Sequence, residues 1–339
     1  MVFKNIDFHN VEEIFEKEDG LQLSRIPENV RVFLNENAKI RSFMPAGCEL
    51  RFNLKSEKAK IYLKKIKNVY KNVYIENGIC EVYFGDFFYF WYFIDENGRE
   101  IEVKYPENID KLKKIAEEKK LPFDPEVIRV ILPHRCEIRI INIEGEFEIP
   151  KPNQIPKLKY LSYGSSITQG ASSIRPTGTY PMKTAQILGV DLINLGFGGG
   201  AYLEKEIADY IAERNDWDFA TFELGINMVL WSDVEEFEKR VNYFVETIVR
   251  KHSDKYLYFI DMFPFFMDFE KEKKQEEFRK IVRNKVKEID KENVIYISGF
   301  ELLKSEKGLT FDLVHPASFG MEEIAFNLST IISHTYFKK

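Results

Sequence analysis

Cysteine is scarce: three residues in 339, Cys48, Cys80 and Cys136, with no C-x-x-C pair. An odd number without paired spacing excludes a disulfide framework and a thiolate zinc site, so the three read as buried thiols in a reducing compartment. Histidine is nearly as rare, with five residues. Four of them, His9, His134, His252 and His334, show no ligand-type spacing. His134 stands two residues from Cys136 in a strand-like stretch that would turn both to one face, but two ligands do not make a tetrahedral site. No metal and no cofactor is therefore assigned. Excess positive charge is also missing, with 49 Lys and Arg against 55 Asp and Glu and a net charge of −6. Such a chain has no general attraction to phosphate backbones or anionic lipid, so neither nucleic acid nor membrane is an expected partner. No apolar run approaches the ~20 residues that span a bilayer, and the aromatic stretch Phe87–Ile94 falls far short. The opening Met1-Val-Phe-Lys-Asn-Ile-Asp7 lacks the charged head and apolar stretch of a signal peptide. The expectation is a soluble, cytoplasmic protein.

What is present is the composition of a folded globular chain, 44% hydrophobic and 31% charged. Its length exceeds what one core usually fills, roughly 250–300 residues, and predicts two domains. The first half reads as short strands separated by turns: Val30–Leu34, Glu49–Leu54, Ala59–Leu63, Val127–Leu132, Glu137–Asn142 and Glu146–Ile149. Phe87–Ile94, an Asp95-Glu-Asn-Gly98 turn and Arg99–Tyr105 read as a hairpin. One amphipathic helix, Ile109–Lys119, interrupts a pattern that otherwise predicts a β-sandwich. The polar, proline-rich Lys151-Pro-Asn-Gln-Ile-Pro156 marks the boundary, giving domains 1–152 and 153–339. Beyond it, apolar strands at Tyr160–Tyr163, Leu192–Leu195, Phe219–Leu224, Leu257–Met262 and Val294–Ile297 alternate with helices. The helices fall at Glu204–Arg214, Val234–Arg250, Glu272–Ile289 and Ser318–Ile332. This rhythm predicts an α/β fold, a parallel sheet covered on both faces, with ligands bound outside the carboxyl ends of its strands.

Four loops at those ends carry chemistry. Tyr163-Gly-Ser-Ser-Ile-Thr-Gln-Gly170 can lift a serine hydroxyl into the crevice, although serines in such turns also serve as helix caps. Asn194-Leu-Gly-Phe-Gly-Gly-Gly-Ala201 implies backbone in close approach or at positive φ, where an N–H can stabilise an oxyanion. The same loop satisfies the dinucleotide fingerprint G-x-G-x-x-G/A over Gly196–Ala201, with Glu223 ending the next strand. Against that reading, a complete βα unit precedes it. Asn227, after the third strand, is a neutral donor or a turn residue. Asp312 lies three residues before His315 in Asp312-Leu-Val-His-Pro316, near enough to fix its tautomer. Asp-x-x-His-Pro arises by chance in only about 1% of chains of this composition, which makes it the most specific single signal.

Together these loops resemble the SGNH hydrolase superfamily, the GDSL esterases and lipases. Gly164-Ser-Ser166-Ile-Thr168-Gln-Gly170 resembles the G-D-S-x-T-x-G block, Asn194–Gly199 the glycine block, Gly225-Ile-Asn227 the G-x-N-D block and Asp312–His315 the D-x-x-H block. The resemblance implies a flavodoxin-like domain preceded by a β-sandwich, jelly-roll-like domain. It also implies Ser166 as nucleophile, His315 as base and Asp312 as its orienting acid. The oxyanion hole would be formed by the N–H groups of Ser166 and Gly199 and the Asn227 side chain. Three positions depart from the pattern: Ser165 replaces the Asp of G-D-S, Gly198 precedes the oxyanion glycine, and Met228 follows the block Asn. These replacements resemble a subgroup with an N-terminal β-sandwich that includes carbohydrate acetyl esterases.

The expected activity is hydrolysis of short-chain, mainly acetyl, esters of a carbohydrate or other small molecule through an acyl-enzyme. Acyl transfer on the same triad is the nearest alternative, and dinucleotide binding at Gly196–Ala201 the alternative from another class. The expected partner is a small-molecule ester such as an acetylated oligosaccharide. Phe197, Tyr202 and Trp231 are candidates to stack on a sugar or line an acyl pocket, with helix-to-sheet packing as their plain role. Phe87–Phe93 suggests a carbohydrate platform, but such a run is more often sandwich core or a subunit interface, and it points to a homo-oligomer. Asp261 ends the fourth strand without an assigned role, and Phe263–Phe269 after it is either a flap or a packed loop.

Overall fold

A computed structural model describes residues 1–66, 78–271 and 273–338. The first half forms two antiparallel sheets. One has seven strands, in the order Val2–Phe3, Ile6–His9, Glu49–Leu54, Val127–Ile131, Gly78–Phe84 and Phe87–Ile94, with Phe147–Glu148 also paired to Glu49–Leu54. The other has five: Glu13–Lys17, Gly20–Ser24, Ile138–Glu144, Ala59–Lys65 and Arg99–Val103. Strand alternation sends Leu50, Phe52, Val82 and Val130 of the first sheet against Ile61, Leu63, Ile101 and Ile140 of the second, so the sandwich core is dry. Cys48, Cys80 and Cys136 are free thiols inside it.

The second half is a five-stranded parallel sheet in the order Asp191–Gly196, Lys159–Gly164, Phe219–Glu223, Tyr256–Ile260, Val294–Ile297. This is the doubly wound order 2-1-3-4-5. The helices Tyr180–Leu188 and Ser318–Thr335 share one buried cluster on one face. Lys205–Glu213, Val234–Lys251 and Lys274–Ile289 share another on the opposite face. Glu272, the expected start of the last of these, lies outside the described residues. Among the described residues no helix is long and apolar enough to cross a membrane.

The halves are packed together. Glu49, Arg51, Arg129 and Glu81 alternate with the sandwich core residues and are all buried. Arg51 grips both carboxylate oxygens of Asp191 at 2.7 and 2.6 Å, across the junction. Glu49 accepts from Arg51 at 2.8 Å and from Arg129 at 2.8 and 2.7 Å. The parallel sheet would otherwise end in an open edge at Asp191–Gly196. Its outward carbonyls are met by side chains from the first half: His9 on Leu192, Asn10 and Arg25 on Asn194, and Arg25 again on Gly196. Ile26, Leu34 and Ala38 belong to the same apolar cluster as the helices of the second half.

Several sequence expectations are corrected. Val30–Leu34 is not a strand. Pro27 is the N-cap of the short helix Glu28–Arg31, a turn follows it, and Val30 and Leu34 pack on the apolar cluster while Val32 and Phe33 are exposed. Phe87–Ile94 and Arg99–Val103 do not form a hairpin, because the chain crosses from one sheet to the other at Asp95–Gly98. Arg99–Val103 goes to Ala59–Lys65, where Glu100 and Glu102 pair with Lys60 and Lys58. Nor is the aromatic run Phe87–Phe93 mainly sandwich core, although Ile94 is buried in that core and Tyr92 packs against it. Phe87–Ile94 is the outer strand of its sheet, and Phe88, Tyr89, Phe90, Trp91 and Phe93 are exposed. His134 and Cys136 stand in an irregular stretch rather than a strand. Cys136 enters the sandwich core, and the His134 ring bonds the Gly170 carbonyl at 3.0 Å.

Asp261, just past the fourth parallel strand, is a clamp. It accepts from the Tyr296 hydroxyl at 2.5 Å and the Gly299 N–H at 2.6 Å, tying that strand to the fifth. Burial raises its carboxyl pKa from 3.8 to about 6, against the smaller opposing pull of those bonds and of Arg279 and Arg283.

Two stability predictions follow from these buried groups. Arg51→Met leaves Asp191 without its guanidinium inside the junction and should cost on the order of 3–5 kcal/mol in denaturant unfolding. Asp261 binds its proton more tightly folded than unfolded, so its contribution is complete below about pH 4 and is lost as pH rises to about 6. Wild type should therefore lose on the order of 2 kcal/mol relative to Asp261→Asn between pH 4 and 7. A constant difference across that range would contradict the assignment.

Candidate functional site

The first parallel strand ends at Gly164, and the chain turns at once into the short helix Ser166–Gln169. No side chain fits at Gly164, where a Cβ would stand 2.3 Å from Thr168 Oγ1 and 2.5 Å from Glu223 Oε2. Ser165 caps the turn by accepting from the Ile167 N–H, and its own N–H donates to Glu223 at 2.7 Å. Burial raises the pKa of Glu223, partly opposed by its bonds from Ser165 and Thr168. This packing lifts Ser166 to the floor of a cleft of about 420 Å³ at the carboxyl end of the sheet.

His315 and Asp312 come from the loop before the last helix. Leu313 takes a left-handed φ of 55°, and Thr310 N–H donates to the His315 carbonyl, closing a tight turn. The turn folds the Asp312 carboxylate back over its own backbone. One oxygen accepts from Thr310 Oγ1 and from the N–H groups of Val314 and His315, at 2.7, 2.9 and 3.0 Å. The other stands 2.7 Å from His315 Nδ1. Partial burial pushes the Asp312 carboxyl up, but the bonds from His315, Thr310 and Val314 prevail and hold it well below the usual carboxylate range. An ionised carboxylate requires a proton on Nδ1, which leaves Nε2 of the neutral ring as an acceptor. Ser166 Oγ lies 2.8 Å from that Nε2.

The residues expected to donate to an oxyanion, Ser166, Gly199 and Asn227, line the same cleft. Gly198 N–H is not among them, since it donates to Gln169 Oε1 at 2.8 Å. Gly199, at φ 66°, lines the cleft, and its N–H meets no acceptor among the described residues; the same holds for Ser166 N–H. Asn227 Oδ1 accepts from Ala201 N–H at 3.1 Å. An N–H can only donate, so this bond settles which amide atom is Oδ1 and leaves Nδ2 of this cleft-lining residue as a donor. Met228, in place of the Asp that usually follows, is buried in the core.

The expected stacking residues lie elsewhere. Neither Tyr202 nor Trp231 lines the cleft. Their rings pack on each other with centroids 4.8 Å apart, and Trp231 Nε1 donates to the Asn227 carbonyl at 2.7 Å. Trp231 thereby braces Asn227 from behind. Phe197 is core. The aromatics in the cleft are Phe265 and Phe266, from a packed loop rather than a flap: Asp268 in it bonds Arg279 through both oxygens.

Sequence reasoning missed three residues of the first half that reach the cleft, Asn37, Arg41 and Arg135. Asn37 donates to the Gly199 carbonyl at 2.8 Å, and Arg41 to that of Gly198 at 3.3 Å. It also missed Gln169, which joins Gly198 N–H to the His134 carbonyl. Its only sequence signal was its place inside the serine block. The helix Glu36–Arg41 covers the glycine loop so closely that a Cβ on Gly200 would meet Ala38 N at 2.6 Å. The loop is closed at Gly196 and Gly200, and Glu223 is bonded beneath the serine turn rather than free for a ribose, which argues against the dinucleotide reading.

Comparison with known proteins agrees with this architecture. Over nearly its whole length the chain superposes on the salicylyl-acyltransferase SsfX3 from a tetracycline biosynthetic pathway, with a TM-score of 0.77 and 17% identity, covering 96% of this chain and 93% of that one. A family two carbohydrate esterase from Clostridium thermocellum, solved with cellohexaose, gives 0.63 and 12%, covering 98% and 99%. The acetyl xylan esterase Est2A from the rumen bacterium Butyrivibrio proteoclasticus gives 0.56 and 12%, covering 99% and 96%. These likenesses are of fold. No curated protein matches the sequence. The model of the GDSL-like lipase/acylhydrolase family matches residues 159–333, more than half of the chain, and the protein belongs to that family.

Proposed function

We propose that the protein is a serine esterase that removes short acyl groups, chiefly acetyl, from a carbohydrate or other small-molecule alcohol. The observation that carries this reading is the continuous line Ser166 Oγ, His315 Nε2, His315 Nδ1, Asp312, at 2.8 and 2.7 Å. Ser166 Oγ attacks the ester carbonyl as its proton passes to Nε2, and the carbonyl oxygen becomes an oxyanion. Ser166 N–H, Gly199 N–H and Asn227 Nδ2 stabilise that charge. Asp312 stabilises the imidazolium, which then protonates the departing alkoxide. Water, deprotonated by the same imidazole, attacks the acyl-enzyme and releases the acid and free serine. Ile226, Val314, Phe265 and Phe266 give the cleft apolar walls suited to a short acyl chain.

Transfer of the acyl group to a second alcohol uses the same intermediate and differs only in which nucleophile arrives. It is kept as a second reading because the acyltransferase fold above spans nearly the whole chain. Running the reaction with an added sugar alcohol and looking for the transferred ester separates the two.

Hydrolysis of 4-nitrophenyl acetate and butyrate near neutral pH tests the proposal. Ser166→Ala should abolish turnover in a folded protein, with acetate preferred over butyrate. Undiminished turnover in that variant would remove the nucleophile from the argument. Asn227→Ala deletes one oxyanion donor and should lower kcat by about 10²–10³. Its KM should change much less, since the lost bond strengthens only as charge develops.

A further inference from the structure

The cleft around Ser166 has a charge opposite to that of the chain. The protein carries a net charge of −6, yet among the described residues the cleft is lined by two arginines, Arg41 and Arg135, and by no aspartate or glutamate. Both arginines come from the first half and reach the cleft only because that half is packed against the glycine loop. Arg41 is anchored by its Nε on the Gly198 carbonyl, so it stands beside the loop that flanks the serine. The position of Arg135 is set by its neighbour. The His134 ring bonds the Gly170 carbonyl, and the His134 carbonyl accepts from Gln169 at 3.0 Å. The backbone beside Arg135 is thereby fastened to the end of the serine helix. No hydrogen bond or ion pair engages the half-buried Arg135 side chain among the described residues.

The Arg135 guanidinium, held at the cleft with no ion pair among the described residues, is placed to receive an anion. Its planar fork matches carboxylate and phosphate oxygens, and such charge-assisted bonds are about twice as strong as neutral ones. A neutral acetylated sugar would leave this charge unused. We infer that the natural substrate is an anionic ester, a short-chain acyl group carried on an alcohol that also bears a carboxylate or phosphate, which Arg135 holds. The inference rests on the esterase reading above. Acetyl has no charge of its own, so the anionic group belongs to the alcohol part.

Acetylated glucose, acetylated glucuronic acid and acetylated glucose 6-phosphate provide the test, compared by kcat/KM. At least one anionic ester should exceed the neutral one by roughly 10-fold at low ionic strength, with the advantage shrinking toward about 0.5 M salt. The two anionic arms distinguish a carboxylate from a phosphate as the group recognised. Arg135→Gln should cut the anionic-to-neutral ratio by on the order of 10-fold, and Arg135→Lys should restore part of it. Free glucuronate or glucose 6-phosphate should also raise the Tm of Ser166→Ala protein, and Arg135→Gln should remove that shift. A Ser166-dependent esterase that shows no anionic preference, or whose preference survives Arg135→Gln, would overturn the inference. Ligand-induced stabilisation that depends on Arg135, in a protein with no esterase activity at all, would sink the esterase reading and leave the anion site standing.

Discussion

Everything at the cleft depends on how the exposed edge of the parallel sheet is closed. The strand Asp191–Gly196 is the last in its sheet, and an uncovered edge strand invites pairing with another chain. Here the carbonyls of Leu192, Asn194 and Gly196 are occupied by His9, Asn10 and Arg25, all buried. These bonds fall at alternate residues because alternate carbonyls of a strand point to the same side. Arg25 alone bridges the sheet edge to the carbonyls of Arg41 and Met44. The same side chain that closes the sheet therefore also seats the helix that covers the glycine loop.

That coupling gives the first half a part in the site. The glycine loop begins where the edge strand stops, and its carbonyls at Gly198, Gly199 and Gly200 are held by Arg41, Asn37 and Asn35. With the carbonyls facing Glu36–Arg41 and Gly198 N–H held by Gln169, Gly199 N–H is left for the cleft. Selection of the donor is a matter of which backbone groups are already engaged. The sandwich thus shapes the loop that would meet developing negative charge, and it adds the arginines.

The buried charges at the junction follow the same logic. Against the cost of burial, Arg129 and Arg51 hold the Glu49 carboxyl well below the usual range, and Arg51 lowers that of Asp191. A buried ion pair adds little net stability compared with apolar packing, but it permits only one alignment of the two sheets. A slip of one residue in Glu49–Leu54 would turn Arg51 into the sandwich core and Leu50 toward Asp191. Alignment of the halves is what the cleft needs, since residues from both line it.

Much of this was legible in the chain alone. The five parallel strands are short apolar runs buried on both faces, and each was found within about two residues of its place. Ser166, Asp312, His315, Gly199 and Asn227 could be singled out because each stands in a local motif whose spacing survives without knowledge of the fold. Asp312 and His315 meet across a three-residue turn, so their pairing is local. Arg25, Asn37, Arg41, Arg135 and Gln169 carry no such local signal. Their partners lie 157 to 171 residues away for Arg41–Gly198 and Arg25–Gly196, and such contacts exist only once the sheets have packed. Tyr202 follows the glycine loop and Trp231 follows Asn227 in sequence, yet neither ring lines the cleft, because sequence proximity does not say which way a ring faces. The amino-acid order by itself determined the α/β class, the places of the parallel strands and the chemistry of the reacting groups, because those follow from local pattern. Tertiary packing decided which donors stay open, which arginines reach the cleft and that the aromatic strand lies outside, because those depend on what has already been buried or bonded.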